Sequence, residues 1–186
     1  MPQSKPMISI ENVVATATID QKLDLIDITK KFPDVEWHPD TFAGAVFRLK
    51  NPKTATLLFR SGKMVCTGAK SEELARKAVK TVVQKLRKGK IKIKKEATVT
   101  IQNIVASINL GGRVHLEQAA RILPRSMYEP EQFPGLIHRV LEPKTVILLF
   151  ASGKLVCTGG KTEKDVHRAV NNLHSMLEEK NLMIYD

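Results

Sequence analysis

Cysteine is scarce, with two in 186 residues, and that excludes both a disulfide framework and a cysteine-built zinc centre, which need closely spaced sets. Cys66 and Cys157 are therefore expected to be buried thiols. Aromatic residues amount to 5% of the chain, with a single tryptophan, so any phenylalanine that recurs beside a turn calls for an explanation. No apolar run approaches the ~18 residues a membrane-crossing helix requires. The opening MPQSKPMISIENVV also lacks the apolar stretch of a secretion signal. The expectation is a protein inside the cell with no membrane association. His115, His138, His167 and His174 show no ligand spacing, so neither a metal nor a cofactor is expected. The run GGKT at 159–162 resembles a phosphate loop, but Leu155 occupies the place of that motif's first glycine.

What the chain does have is positive charge. The net charge is +11, and it is unevenly placed: residues 1–95 hold 20 Lys and Arg against 9 Asp and Glu, whereas residues 96–186 hold 10 of each. A strongly basic half favours a polyanionic partner, because each phosphate neutralised releases condensed counterions. The densest stretch, KLRKGKIKIKK at 85–95, carries seven cations in eleven residues. Such a run is ordinarily a solvated surface, with a direct DNA role as the alternative.

The chain also repeats itself. LLFRSGKMVCTGAK (57–70) returns as LLFASGKLVCTGGK (148–161), and a constant shift of 91 residues aligns ENVVAT with QNIVAS and FAGAVFRLKNPKT with FPGLIHRVLEPKT. A gapless tandem duplication follows, with repeats over 7–95 and 98–186. Each copy opens on an alternating strand, continues into a short helix that stops at Pro33 or Pro124, and then runs through extended segments divided by turns at Asn51-Pro52 and Ser61-Gly62. VEWHP is expected to be one of those extended segments. A long amphipathic helix closes each copy, capped by Ser71 or Thr162. The fold class is α+β, with two half-sheets and pseudo-twofold symmetry.

The strands are apolar on both faces. Leu57 and Phe59 share one face with Val65 and Thr67, while Leu58, Met64 and Cys66 share the other. The long helices can cover only one face. The second, with Leu148, Phe150, Val156 and Thr158 as the repeated set, is expected to form a binding surface, the ordinary alternative being a further core layer. Asn12, Asn103, Thr67 and Thr158 place polar groups within it, and Arg48, Lys63, Lys70, Arg139, Lys154 and Lys161 recur around it. An apolar centre with inset amides and a basic border suits a DNA minor groove, where A·T pairs present only acceptors.

These motifs resemble those of the TATA-box-binding proteins, in the conserved-core form and of archaeal type, over nearly the whole chain. The resemblance implies one long curved antiparallel sheet, a saddle, with helices on the convex face and promoter DNA on the concave one. It implies that Phe42 and Phe59, and in the second repeat Phe133 and Phe150, are pushed into the base stack, Phe42 and Phe133 from stirrup loops. It further implies base-edge contacts from Asn12, Asn103, Thr67, Thr158, Val14, Val105, Leu57, Leu148, Val65 and Val156. Phosphate contacts fall to Arg48, Ser61, Lys63, Lys70, Arg139, Ser152, Lys154 and Lys161. Glu129 and Glu131 on the second stirrup would meet transcription factor B, which links the complex to RNA polymerase. The resemblance places the protein on the DNA of an archaeal cell, or in a nucleus if the source were eukaryotic. It acts as a monomer on DNA, and free copies can pair through the open face.

Two departures between the copies stand out: Ala43 beside the first wedge against Pro134 beside the second, an asymmetry that resembles the family's and can bias orientation on a nearly symmetric site, and Arg60 against Ala151. The competing classes are an adaptor that binds protein through the apolar sheet and a DNA-processing enzyme of related fold. The enzyme would need a carboxylate cluster or a base-and-nucleophile set on the open face, and the repeated positions supply none.

Overall fold

The alternation of MISIENVVATAT becomes strand β1 (Met7–Thr18) in a computed structural model that describes residues 5–186. Met1–Ser4, part of the stretch read for a secretion signal, lie outside the described residues. Packing divides the chain into two compact units: Asn12–Gln102, and the residues up to Glu11 together with Asn103–Asp186.

In the first unit, β1 from Asn12 onward is followed by helix α1 (Leu25–Lys31), strands β2 (Ala45–Lys50), β3 (Lys53–Leu58) and β4 (Lys63–Ala69), and helix α2 (Glu72–Lys88). Its sheet runs β2-β3-β4-β1, antiparallel throughout. The second unit repeats this plan. Strand β5 (Thr98–Asn109), from Asn103 onward, leads through β6 (Arg113–Val114) to α3 (Leu116–Ile122), β7 (Ser126–Met127), β8 (Leu136–Val140), β9 (Thr145–Leu149), β10 (Lys154–Gly160) and α4 (Glu163–Glu179). The order there is β7-β8-β9-β10-β5, and a terminal strand β11 (Met183–Ile184) pairs with β6.

The long helices start where the sequence places them. Ser71 Oγ accepts from the Leu74 N–H at 3.0 Å and Thr162 Oγ1 from the Asp165 N–H at 3.0 Å, each cap contributing about 1 kcal/mol. The stripe Ala78, Val79, Val82, Val83 and Leu86 of α2 is fully buried against β4, β3 and β2. Burial of each valine or leucine contributes about 1.5–3 kcal/mol. Beneath it lie Ala15, Leu58, Met64 and Cys66, all 0–1% exposed. In the second unit Val166, Ala169, Val170 and Leu177 of α4 cover the matching layer of Ala106, Ile147, Leu149 and Cys157. The cysteines are core thiols, as expected. Burial pushes both thiols up, Cys157 to about 11, against a smaller opposing effect of the Thr145 hydroxyl.

One local expectation is corrected. VEWHP forms no strand, only a single bridge from Glu36 to Val46. The reason is that Trp37 Nε1 donates to the Ala43 carbonyl at 3.2 Å, folding the segment back as a loop, with Arg60 stacked 5.4 Å over the indole. The second copy, which has Tyr128 and Ala151 at those places, does form a strand, β7, paired with His138 and Ile137. His138 replaces the core residue Phe47 of the first copy. Its Nδ1–H donates to the Pro124 carbonyl at 3.0 Å, and burial lowers its pKa, so the ring is held neutral in the core.

Candidate nucleic-acid interface

In each unit the helices cover one sheet face and leave the other half-buried. Register gives that open face its composition. In the first unit Val46 lies opposite Leu57, Leu57 opposite Val65, and Val65 opposite Thr16. The second unit has the same row as Ile137, Leu148, Val156 and Ser107. Val14 and Val105 lie on the same face of β1 and β5, in alternation with buried Val13, Ala15, Ile104 and Ala106. The expected apolar set is therefore brought together within each unit. Val46 and Ile137 complete the row and were not among the expected contacts. Their alternation with Phe47 and His138 and their recurrence at the 91-residue shift were the signals that could have found them.

A neighbouring row is polar. Arg48 lies opposite Ala55 and Ala55 opposite Thr67, and Asn12 Nδ2 donates to Thr67 Oγ1 at 3.1 Å. A bulge explains what the amide does. Pairing shifts by one residue between Val13↔Ala69 and Ala15↔Cys66, with Gly68 at φ +100°, and a bulge releases one backbone group from the ladder. The freed Gly68 N–H donates to Asn12 Oδ1 at 2.7 Å. This fixes which end of the amide is oxygen. One amide N–H goes to Thr67, and the second has no partner among the described residues. The second unit reproduces every part: a shift between Cys157 and Gly160, Gly159 at φ +98°, Gly159 N–H to Asn103 Oδ1 at 2.7 Å and Asn103 Nδ2 to Thr158 Oγ1 at 3.2 Å. Gly68 and Gly159 were not singled out from sequence, because a bulge depends on register.

The phenylalanines form two edge-on pairs. Phe42 and Phe59 have ring centroids 5.9 Å apart at 70°, and Phe133 and Phe150 5.8 Å apart at 64°. Phe42 is 48% and Phe133 37% exposed, high for a large apolar side chain. Both loops are closed alike, with Phe42 N–H donating to the His38 carbonyl and Phe133 N–H to the Glu129 carbonyl, each at 2.9 Å. Gly44 and Gly135 make the pairs feasible, since a Cβ on Gly44 would lie 2.7 Å from Phe42 and 3.0 Å from Phe59, and one on Gly135 2.8 Å from Phe133 and 2.9 Å from Phe150. Phe59 and Phe150 are set by tight turns whose Gly62 and Gly153 sit at φ +89°, where a Cβ would come within 2 Å of a carbonyl oxygen, at 1.9 and 1.8 Å.

The expected phosphate-contacting residues lie on the exposed margins. Lys63 and Lys154 begin β4 and β10, and their N–H groups donate to Ser61 Oγ and Ser152 Oγ at 3.3 Å. Lys70 and Lys161 follow the same strands. Arg48 and Arg139 differ. Arg48 Nη1 pairs with Glu36 at 2.8 Å, both side chains more than half exposed, which makes the pair worth under about 1 kcal/mol and easily exchanged for another anion. At the place of Glu36 the second copy has Met127. Glu129 and Glu131 are exposed on the loop that carries Phe133. The open-face strand positions of both units, Asn12 to Thr18, Val46 to Lys50, Ala55 to Phe59, Lys63 to Thr67 and their repeats, contain no carboxylate. The arrangement can donate from fixed amides, exclude water over an apolar area and attract anions at its rim.

A duplicated module of this kind defines a class of transcription factor. The family model described as "Transcription factor TFIID (or TATA-binding protein, TBP)" matches residues 7–89 and again 98–180, and the chain belongs to that family. Among curated relatives, the TATA-box-binding protein of Pyrodictium occultum is 52% identical over 95% of this chain and 89% of its own length. That of Sulfolobus acidocaldarius is 50% identical over 94% of this chain and 89% of its own. The solved structure titled "Methanococcus jannaschii TBP" shares the fold with a TM-score of 0.83 and 42% identity, covering 92% of this chain and 98% of that one.

Proposed function

We propose that the chain is a general transcription initiation factor that reads a TATA promoter element from the minor groove, bends it, and brings in transcription factor B and, through it, RNA polymerase. The observation that carries this reading is the fixed amide. Among the described residues, Asn12 and Asn103 each keep one N–H unused within an apolar face, and A·T pairs offer only acceptors on that side, whereas a G·C pair adds a protruding donor. The apolar rows suit groove walls and floor, and the basic rim suits the two phosphate strands. Insertion of the Phe42–Phe59 and Phe133–Phe150 pairs follows the family's wedge mechanism: unstacking costs a few kcal/mol per step and is offset by the surface the bent groove can then cover. The chain's own groups bind and deform; no catalytic step is assigned to them. The archaeal relatives support a place on the DNA of an archaeal cell, and in the absence of DNA two copies can cover one another's apolar faces. Among the described residues no helix is long and apolar enough to cross a membrane.

The test is equilibrium binding of an A·T-rich and a G·C-rich duplex of equal length over a range of salt. A preference of several hundred-fold for the A·T duplex, with a steep loss of affinity as salt rises, is expected. Equal affinities, or cleavage of either duplex, would refute the reading in favour of an adaptor or an enzyme.

Recruitment rests on Glu129 and Glu131, exposed carboxylates on a loop of an otherwise basic protein. They repel phosphate and suit a basic protein surface. Reversing both to lysine should abolish the complex with transcription factor B on DNA while leaving binary DNA affinity the same or slightly higher. A gel-shift titration that finds the ternary complex intact removes this loop from the assignment.

A further inference from the structure

The promoter reading leaves the basic run at 85–95 unused, and the structure shows that it is no loose tail. The Gln21 side chain grips it as a neighbouring strand would: Nε2 donates to the Lys92 carbonyl at 2.7 Å and Oε1 accepts from the Lys94 N–H at 2.9 Å. From α2, Arg87 donates to the carbonyls of Ile93 and Lys95 at 3.2 and 3.1 Å and pairs with Glu96 at 2.5 Å. Ile93 is turned inward, 8% exposed, and Ile91 is half-buried, so Lys88, Lys90, Lys92 and Lys94 form the exposed side. Among the described residues the ion pairs of this segment use Arg87 and Lys95 and none of those four.

The duplication supplies a control. The same places in the second repeat hold Glu179, Asn181, Met183 and Tyr185, so the fold does not demand lysine at any of them. At one place it disfavours lysine. Lys90 has φ +70° where the second repeat has Asn181 at φ +56°, and the left-handed region is tolerated by glycine and asparagine far better than by a long side chain. A strained residue held in place by its surroundings is a pointer to function.

We infer that this ridge is a second binding site for the phosphodiester backbone of duplex DNA, separate from the open face and able to hold a duplex other than the one lying there. With Ile93 buried and Ile91 half-buried, the exposed side is dominated by the four lysines, which favours nucleic acid over an acidic protein: a protein interface needs an apolar centre, whereas lysines serve as point charges for phosphates, which a duplex presents at regular spacing. The inference goes beyond the promoter reading and does not require it.

The full chain is first saturated with a short A·T-rich duplex, and a labelled G·C-rich duplex is then titrated in at low salt. Capture of the second duplex is expected. Changing Lys88, Lys90, Lys92 and Lys94 together to glutamine should weaken that capture at least tenfold and flatten its dependence of log affinity on log salt by about 3 to 4, at ~0.9 per phosphate lost, with the first duplex bound as before. A comparison variant, Lys22, Lys30, Lys50 and Lys53 to glutamine, removes the same charge from other exposed places. Equal weakening in both variants reduces the effect to net charge and overturns the inference, as does absence of capture by the unaltered protein. Displacement of the second duplex by polyglutamate at a lower charge concentration than by competitor duplex overturns it in favour of an acidic protein partner. Lys90→Asn alone should weaken capture and raise the thermal midpoint, which separates binding from folding. Failure of the first duplex to bind would count against the promoter reading alone, and the ridge comparison then runs on the free chain.

Discussion

Replacing Asn12 and Asn103 together with aspartate should lower affinity for an A·T-rich duplex by roughly a thousandfold or more while leaving the fold standing. The fold survives because the new carboxylate can do what the amide does inside the protein. It still accepts from the Gly68 or Gly159 N–H, now at 2.7 Å from Oδ1, and the hydroxyl of Thr67 or Thr158, 3.1 or 3.2 Å from Nδ2, can rotate from acceptor to donor. What changes is the atom left facing outward. An unused N–H becomes an acceptor with negative charge, set against the N3 and O2 acceptors of A·T pairs. An unpaired acceptor enclosed at an interface costs about 1–3 kcal/mol, and more when charged. Two such sites account for the thousandfold loss at ~1.4 kcal/mol per tenfold. The same inversion should narrow the preference between duplexes, because the amino group of a G·C pair can donate to the new carboxylate. Binding isotherms for both duplexes, with thermal midpoints as a control for folding, decide the matter. A loss of less than tenfold with the preference unchanged would remove these amides from the base edges.

Much of the fold could be read in the sequence because duplication doubles each signal. One Ser-x-x-Leu before an apolar stripe is a weak cap; Ser71 and Thr162 at matching places are a strong one, and both caps form. Parity along TATLLF and KMVCTG was enough to separate Leu57, Phe59 and Val65 from Leu58, Met64 and Cys66, and their burial divides along that line. What could not be read depends on pairing between distant segments. Nothing in GAK or GGK announces that Gly68 and Gly159 sit in bulges whose released N–H groups orient an asparagine 56 residues earlier. Nor does WHPD reveal that Trp37 will close on Ala43 and take Arg60 over its ring, which is why that segment was expected as a strand. Gln21 reads as an ordinary polar residue of a turn, and only the folded chain joins it to a loop 71 residues away. Local periodicity reports faces and ends; it is silent on side chains that substitute for strands.

Changing Phe42 and Phe59 together to alanine should remove most of the bend that the first unit contributes, with a smaller effect on folding. The rings contact one another edge-on at 5.9 Å and Phe42 is half in solvent at 48%, so their truncation forfeits less than the ~3–5 kcal/mol of a fully buried phenylalanine. On DNA the same rings would be enclosed between bases, where the whole apolar area counts at about 25 cal/mol per Å². Bending and folding stability therefore draw on different surfaces of the same side chains. Gly44→Ala offers a sharper probe, since it deletes no apolar area. A Cβ there meets Phe42 at 2.7 Å and Phe59 at 3.0 Å, forcing the rings apart while both remain. If insertion needs the pair as a single blade, Gly44→Ala should reduce the bend nearly as far as the double alanine. If apolar area alone is what matters, it should leave the bend almost intact. Gel mobility of circularly permuted fragments reads the bend directly, and the same variants at Phe133, Phe150 and Gly135 report on the second unit. An unaltered bend in the double alanine variant would refute the wedge outright, because among the described residues of the first unit Phe42 is the one large aromatic side chain that is exposed.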